Sequence, residues 1–321
     1  MLEYPLGKFI DWKWMRMKNK KALGIAMVIT ACTFWGISGL FAKGLFNVSS
    51  SITSLWVTQS RMTAAGILLV LFSLIKGDHP FRIFKSPHDT WVIFAYGIFG
   101  LVPVQFAYFM VVQYGNASIA TILQFVGPFF IIAYQAAFRH IPPRRIEIIC
   151  AIIAFIGVFT IATHGRFNEL AVTPAILIWG LISAIGVATN TLIPQKMLRE
   201  GRVPSLVITA WGLLFSGIVL LAIHPAQPRV PNLPVVWFCW LGVLIIGTLI
   251  PFQLANNALK YIDATTFSLM DAFEPLSATI GSVLIFHLNM TGADIIGSIL
   301  VIIAVLALNI RIPNYVPGNK S

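Results

Sequence analysis

Residues 114–128 read YGNASIATILQFVGP, and residues 261–275 read YIDATTFSLMDAFEP. The two align without gaps at an offset of 147 residues, with Tyr114, Asn116, Ala117 and Pro128 facing Tyr261, Asp263, Ala264 and Pro275. At the same offset Glu147-Ile148-Ile149 faces Asp294-Ile295-Ile296 and Gly100 faces Gly247, while Pro103 and Pro251 miss by one position. A match of Tyr, an acid or amide, and Ala is short enough to arise by chance. The proline and the later acid-Ile-Ile in the same register make it an internal repeat.

Outward from these stretches the chain stays apolar. Of 321 residues, 58% are hydrophobic and 10% charged, with mean hydropathy +0.85. Soluble domains carry about 25% charged residues, so lipid is the expected solvent. A helix crossing hydrocarbon needs about 20 apolar residues, which places ten spans at roughly 22–44, 53–75, 90–111, 117–138, 145–163, 173–196, 203–223, 234–258, 264–286 and 291–310. Turn and breaker clusters separate them, among them Lys76-Gly77-Asp78, Pro142-Pro143 and the proline-rich stretch from Pro225 to Pro234. The expected fold class is an all-α membrane protein of ten transmembrane helices. The repeat divides it into five spans over 22–163 and five over 173–310. Five is odd, so the second copy enters the membrane inverted. Inverted repeats recur in transporters because they supply two states, open to opposite sides. A duplication without such motion is the structural alternative.

Lysine and arginine give the orientation. With the N-terminus inside, the inner segments hold Lys8, Lys13, Arg16, Lys18, Lys20, Lys21, Lys76, Arg82, Lys85, Arg139, Arg144, Arg145, Lys196, Arg199, Arg202, Lys260, Arg311 and Lys320. The outer segments hold only Lys43, Arg166 and Arg229. Both termini are therefore expected in the cytoplasm, with 311–321 as a short tail. The net charge of +11 belongs to this asymmetry rather than to a nucleic-acid partner. Residues 1–21 mix lysines with Phe9, Ile10, Trp12 and Trp14, a basic amphipathic tail that suits an anionic leaflet or, equally, a loosely ordered end. A signal peptide needs an apolar core of about 7–15 residues and a small-residue cleavage site. The run from Ala22 to Phe41 is longer and has no clear site. Cys32, Cys150 and Cys239 form no C-x-x-C pair, so neither a disulfide framework nor a metal site is expected.

Ionisable residues at membrane depth cost at least a few kcal/mol and default to functional roles. Glu274 lies roughly 15 Å into the ninth span, near the midplane. Asp271 is one turn earlier on the same face. Arg61 lies roughly 12–14 Å from the outer end of the second span. Burial disfavours a charged carboxylate, so Glu274 suits a coupling proton or a substrate amine. The alternative is a structural ion pair with Arg61. Asp271 joins the same route or simply faces a cytoplasmic cavity. Arg61 can hold a carboxylate bidentately or anchor an ion pair. Pro128 and Pro275 cannot donate to the turn before them, so two helix breaks are expected near the midplane, where transporters bind substrate. Gln124 stands where the second copy has Asp271. Gln59, Gln105, Tyr108, Asn190, Gln253, Asn256 and Asn257 add polar groups, each able instead to bond between helices. Trp35 and Trp211 can wall a cavity. No metalloprotease, nucleophile-elbow or P-loop motif occurs, so no enzyme activity, cofactor or direct ATP drive is expected.

The run from Ala264 to Leu276 resembles the second-repeat helix of the EamA family, in the drug/metabolite transporter superfamily. The run from Ala117 to Pro128 resembles the first-repeat helix, and Trp35-Gly36 and Arg61 are similar to family features. The resemblance covers nearly the whole chain. It implies inverted five-helix repeats with termini inside, and transport of small metabolites, often amino acids or related compounds, frequently outward. Where the family commonly carries an acid after the fourth and ninth helices, this chain has Arg139-His140 and His287-Leu288. The expectation is a secondary transporter in the cytoplasmic membrane whose partners are a small-molecule substrate and the bilayer. A lipid flippase would need a lateral polar groove. A scaffold or receptor would act through its loops, and these are short.

Overall fold

A computed structural model describes residues 7–140, 142–163, 172–226, 229–258, 261–262, 270–271 and 273–308, with backbone alone at 7–19, 162, 199, 256, 305 and 308. The first turns expected of the ninth span, 264–269, and the C-terminal tail lie outside the described residues. The helices are α1 (Gly7–Val48), α2 (Ser54–Lys76), α3 (Pro87–Tyr114), α4 (Ala117–Phe138), α5 (Arg145–Thr163) and α6 (Pro174–Leu198). After them come α7 (Ser205–Ile223), α8 (Pro234–Leu244, Ile245–Leu249 and Ile250–Ala258), α9 (Phe273–Phe286) and α10 (Gly292–Leu308). Among the described residues there is no strand, and seven helices (α1–α4 and α6–α8) are long and apolar enough to cross a membrane. The apolar parts of α9 and α10 are shorter.

The basic N-terminal stretch and the first span share one helix, since α1 runs for 42 residues without a break. At 1.5 Å per residue it is about 63 Å long, twice the hydrocarbon thickness of about 30 Å. Nothing between Lys8 and Ala22 is Gly or Pro, so no breaker stops the helix at the expected boundary.

Local irregularities follow the prolines. The middle of α3 is π-helical over Tyr96–Leu101 and Pro103–Ala107, and α8 is π-helical over Ile245–Leu249. Pro103 has no N–H to return to the Phe99 carbonyl. That carbonyl accepts the Thr189 hydroxyl of α6 at 2.5 Å instead. In α4 the helix is interrupted by a turn at Phe125-Val126, with Pro128 in the first turn of the following segment. Before α9, the Glu274 N–H donates to the Asp271 carbonyl at 3.0 Å, and Pro275 again lies in the first turn. His140 and His287, 147 residues apart, both have positive φ, at 53° and 50°.

The packing has its own order. α1 packs on α8 and α9, and α6 packs on α3 and α4. α2 packs on α7, and α5 on α10. Exchanging the first five helices for the last five leaves these pairings unchanged. Glycines permit the closest approaches. A Cβ on Gly157 would stand 2.7 Å from the Gly297 carbonyl oxygen, and one on Gly297 would stand 2.6 Å from that of Gly157. The outer faces are apolar: Phe72, Ile75, Phe155, Ile156, Leu284 and Ile303 are exposed. So wide an apolar surface needs a hydrophobic solvent.

Gln59 fastens α2 to the end of α7. Its Nε2 donates to the carbonyls of Leu220 (2.8 Å) and His224 (2.6 Å), and its Oε1 accepts the Ala226 N–H at 3.0 Å. Gln59→Leu strands three backbone groups, each bond contributing about 0.5–1.5 kcal/mol. The expected result is a lower unfolding midpoint in detergent with the transport site intact. An unchanged midpoint would show that the clamp contributes nothing.

Candidate functional site

The site is built around α1, where Cys32, Trp35, Gly36 and Gly39 follow the three- and four-residue spacing of one helix face. Gly36 brings α9 against α1. A Cβ there would lie 2.5 Å from the Glu274 carbonyl oxygen and 2.9 Å from the Ala278 nitrogen, and would collide with the Ser277 hydroxyl. Ser277 in turn donates to the carbonyls of Glu274 (2.9 Å) and Thr33 (3.3 Å). The Cys32 thiol donates to the Asp271 carboxylate at 3.4 Å. Asp271 and Glu274 stand within electrostatic reach of each other. Both acids therefore sit at the α1–α9 contact.

Arg61 enters from α2 and is 2% exposed. It donates to the Gln105 side-chain oxygen, and its guanidinium carbon lies 4.5 Å above the Phe109 ring. Gln105 belongs to the π-helical part of α3, where the widened turn carries it. No carboxylate lies within ion-pair distance of Arg61 among the described residues. The structural ion pair with Glu274 weighed from sequence is thus not what holds Arg61. An amide oxygen and an aromatic face hold it instead.

Tyr108, also on α3, is buried beside Gly39, whose missing side chain lets the phenol reach α1. It lies within electrostatic reach of both Arg61 and Glu274. Gly247, in the π-helical part of α8, faces Ser38, with Arg61 just beyond. Trp35 stacks edge-on against Phe252 of α8 at 5.6 Å between ring centroids. Gln253 follows Phe252 and keeps a buried Nε2 without a partner among the described residues. The side chain of Asn256 lies outside the described residues.

Other residues from the sequence reading are used elsewhere. Gln124 donates to the Val104 carbonyl (3.0 Å) and to the Ser183 hydroxyl (2.6 Å). It clamps α4 to α3 and α6, as its repeat counterpart Asp271 meets α1, the counterpart of α6. Trp211 does not wall a cavity. Its Nε1 donates to the Pro80 carbonyl at 2.9 Å, and its ring packs on Phe81 and Phe84. Sequence reasoning missed the role of Cys32, whose spacing with Gly36 was the available signal. It also missed the Ser118 and Thr279 hydroxyls, 2.5 Å apart between α4 and α9.

A multi-pass bundle of apolar-faced helices, with half-buried acids and a buried guanidinium among them, is the construction of a membrane transporter of small substrates. The profile of the EamA-like transporter family matches the chain twice, over residues 22–163 and 174–310. The chain belongs to that family. A protein of Salmonella typhimurium described as an uncharacterized inner membrane transporter, YicL, is 29% identical over 291 residues, covering 89% of this chain and 95% of the relative. An uncharacterized transporter of Bacillus subtilis, YrdR, is 22% identical over 91% of this chain and 93% of its own length. A solved crystal structure aligns at a TM-score of 0.62 and 18% identity, over 89% of this chain and 96% of the other, a likeness of fold.

Proposed function

We propose that this chain is a secondary transporter of the cytoplasmic membrane, working by alternating access and exporting a small metabolite with Glu274 as the proton-carrying group. In this reading ten spanning helices form two inverted five-helix repeats, and both termini are cytoplasmic. The observation that carries it is a bond between α4 and α9, counterpart helices of the two halves. Ser118, at the start of α4, bonds Thr279 of α9. Under the proposed orientation this seals the outer side.

The repeat offset turns the Ser118–Thr279 pair into its mirror. Ser118 corresponds to Thr265, and Thr279 corresponds to Ile132. Ile132 here packs in the small α5–α10 cluster. In the opposite state, Ile132 and Thr265 meet and the outer pair separates. The match of one family profile to both halves and the exchangeable helix pairings support the duplication.

The test is flux in proteoliposomes with a metabolite panel, with and without a pH gradient, on two double-cysteine variants. Oxidised Ser118→Cys/Thr279→Cys and oxidised Ile132→Cys/Thr265→Cys are each expected to stop flux, and reduction to restore it. The native Cys32, Cys150 and Cys239 are buried and free, which favours cross-linking of the introduced pairs. Full flux through both oxidised variants, with the cross-links verified, would overturn alternating access.

A further inference from the structure

Two neighbouring donors buried in the bundle, on α2 and α3, are left without an acceptor among the described residues. The Arg61 Nε–H is buried and has no acceptor among the described residues. The Tyr108 hydroxyl is buried and likewise unpartnered. The two groups belong to adjacent helices, and Gln105, which accepts from Arg61, lies one turn before Tyr108 on α3. A buried polar atom without a partner costs roughly 1–3 kcal/mol, and more beside a charge. A buried guanidinium facing no opposite charge is costlier still. Gln59 and Gln124, at similar depth in their helices, have their amides bonded to protein. Asn190 Oδ1 and Gln253 Nε2 are also buried without a partner among the described residues, but the Arg61 Nε–H is the one such atom there that belongs to a cation.

What satisfies this pair is set by its chemistry. Both present an N–H or O–H hydrogen, and one carries a permanent positive charge. Arg61 has five N–H donors in a planar fork, which matches the two oxygens of a carboxylate. Gln105 engages only the NH2 end of the fork, and Phe109 covers one face of its plane. The Nε edge is left for an anionic oxygen, and the Tyr108 hydroxyl can donate to the same group. Gly247 of α8 leaves the room that the Ser38 hydroxyl takes up, with the Arg61 guanidinium just beyond it. A second cation would be repelled here.

Resting on the transport reading above, we infer that Arg61 and Tyr108 form an anion subsite that takes the carboxylate of the transported solute. The transported class is then small carboxylates rather than amines or neutral solutes. Asp271 and Glu274, on the α9 side, are the corresponding place for a cationic group of the same molecule.

The experiment compares matched solutes that differ by the carboxylate: alanine with ethylamine, and leucine with isopentylamine, with lactate as a carboxylate lacking an amine. Purified full-length protein is heated in detergent with each, and flux of each is measured in proteoliposomes. The carboxylate-bearing member of a pair is expected to raise the unfolding midpoint and to move, and its matched amine to do neither. Tyr108→Phe keeps the ring and removes only the hydroxyl; several-fold weaker stabilisation by the same carboxylate is expected. Arg61→Gln is expected to abolish it. Should Arg61→Gln fail to fold, Tyr108→Phe still decides. Flux of amines without carboxylates would overturn the subsite and leave the transporter standing. Unaltered carboxylate binding in folded Tyr108→Phe and Arg61→Gln would also overturn it. No flux of any solute from folded protein would overturn both readings.

Discussion

Glu274→Gln is expected to fold, reach the membrane and no longer couple flux to an imposed pH gradient. The substitution keeps the size and hydrogen-bonding reach of the side chain and removes the group that can gain and lose a proton. The α1–α9 contact survives because it uses the Glu274 backbone. The groups that meet Gly36 and Ser277 are the main-chain carbonyl of residue 274, the Ala278 nitrogen and the Ser277 hydroxyl. Stability and activity should therefore separate in this variant. Asp271→Asn is expected to be milder, since the Cys32 thiol donates to that carboxylate and can donate to an amide oxygen as well. The check is solute flux in proteoliposomes with and without a pH step, beside the detergent unfolding midpoint. A wild-type response to the gradient in folded Glu274→Gln would remove Glu274 from the coupling route.

Gly36→Ala is the smallest change with a large expected structural effect. One added carbon would stand 2.5 Å from the Glu274 carbonyl oxygen and 2.9 Å from the Ala278 nitrogen, both backbone atoms of α9. Flexible side chains can turn aside, but a helix backbone must move as a body. Overpacking of this kind costs about 1–3 kcal/mol. The displacement also pulls Asp271 from Cys32. The expected outcome is a lower unfolding midpoint and a loss of flux together, in contrast to Glu274→Gln. Gly292→Ala is the control, because nothing lies within 4 Å of a Cβ there. Equal midpoints for the two alanine variants would mean that the α1–α9 approach is not tight.

Seven of the apolar spans, the offset and the break in α4 were legible in the sequence, because each depends on local composition or on proline chemistry. Pro128 and Pro275 mark interruptions that a missing N–H produces wherever the helix goes. The π-helical turns were visible only as Pro103 and Pro251 failing to align. Their placement depends on a partner such as Thr189, which no local pattern reveals. The polar residues were harder to sort. Gln59, Gln105 and Gln124 are the same side chain in similar apolar runs. One ties α2 to α7, one holds Arg61, and one clamps α4 to α6. Their assignment depends on which helix lies opposite, and so on tertiary packing. The ion pair weighed for Arg61 failed for the same reason: Gln105 and Phe109, one turn apart on α3, hold the position that a carboxylate was expected to fill.

The bond between Ser118 and Thr279 has a consequence for populations. A hydrogen bond between membrane helices contributes on average about 0.6 kcal/mol. That biases two conformers by only about threefold. In the alternating-access reading proposed above, a latch so weak would not by itself hold the bundle to one face. A solute that prefers one conformer by about tenfold, worth about 1.4 kcal/mol, outweighs it. In that reading the closure would act as a light counterweight, with the direction of net movement left to the gradients on either side of the membrane.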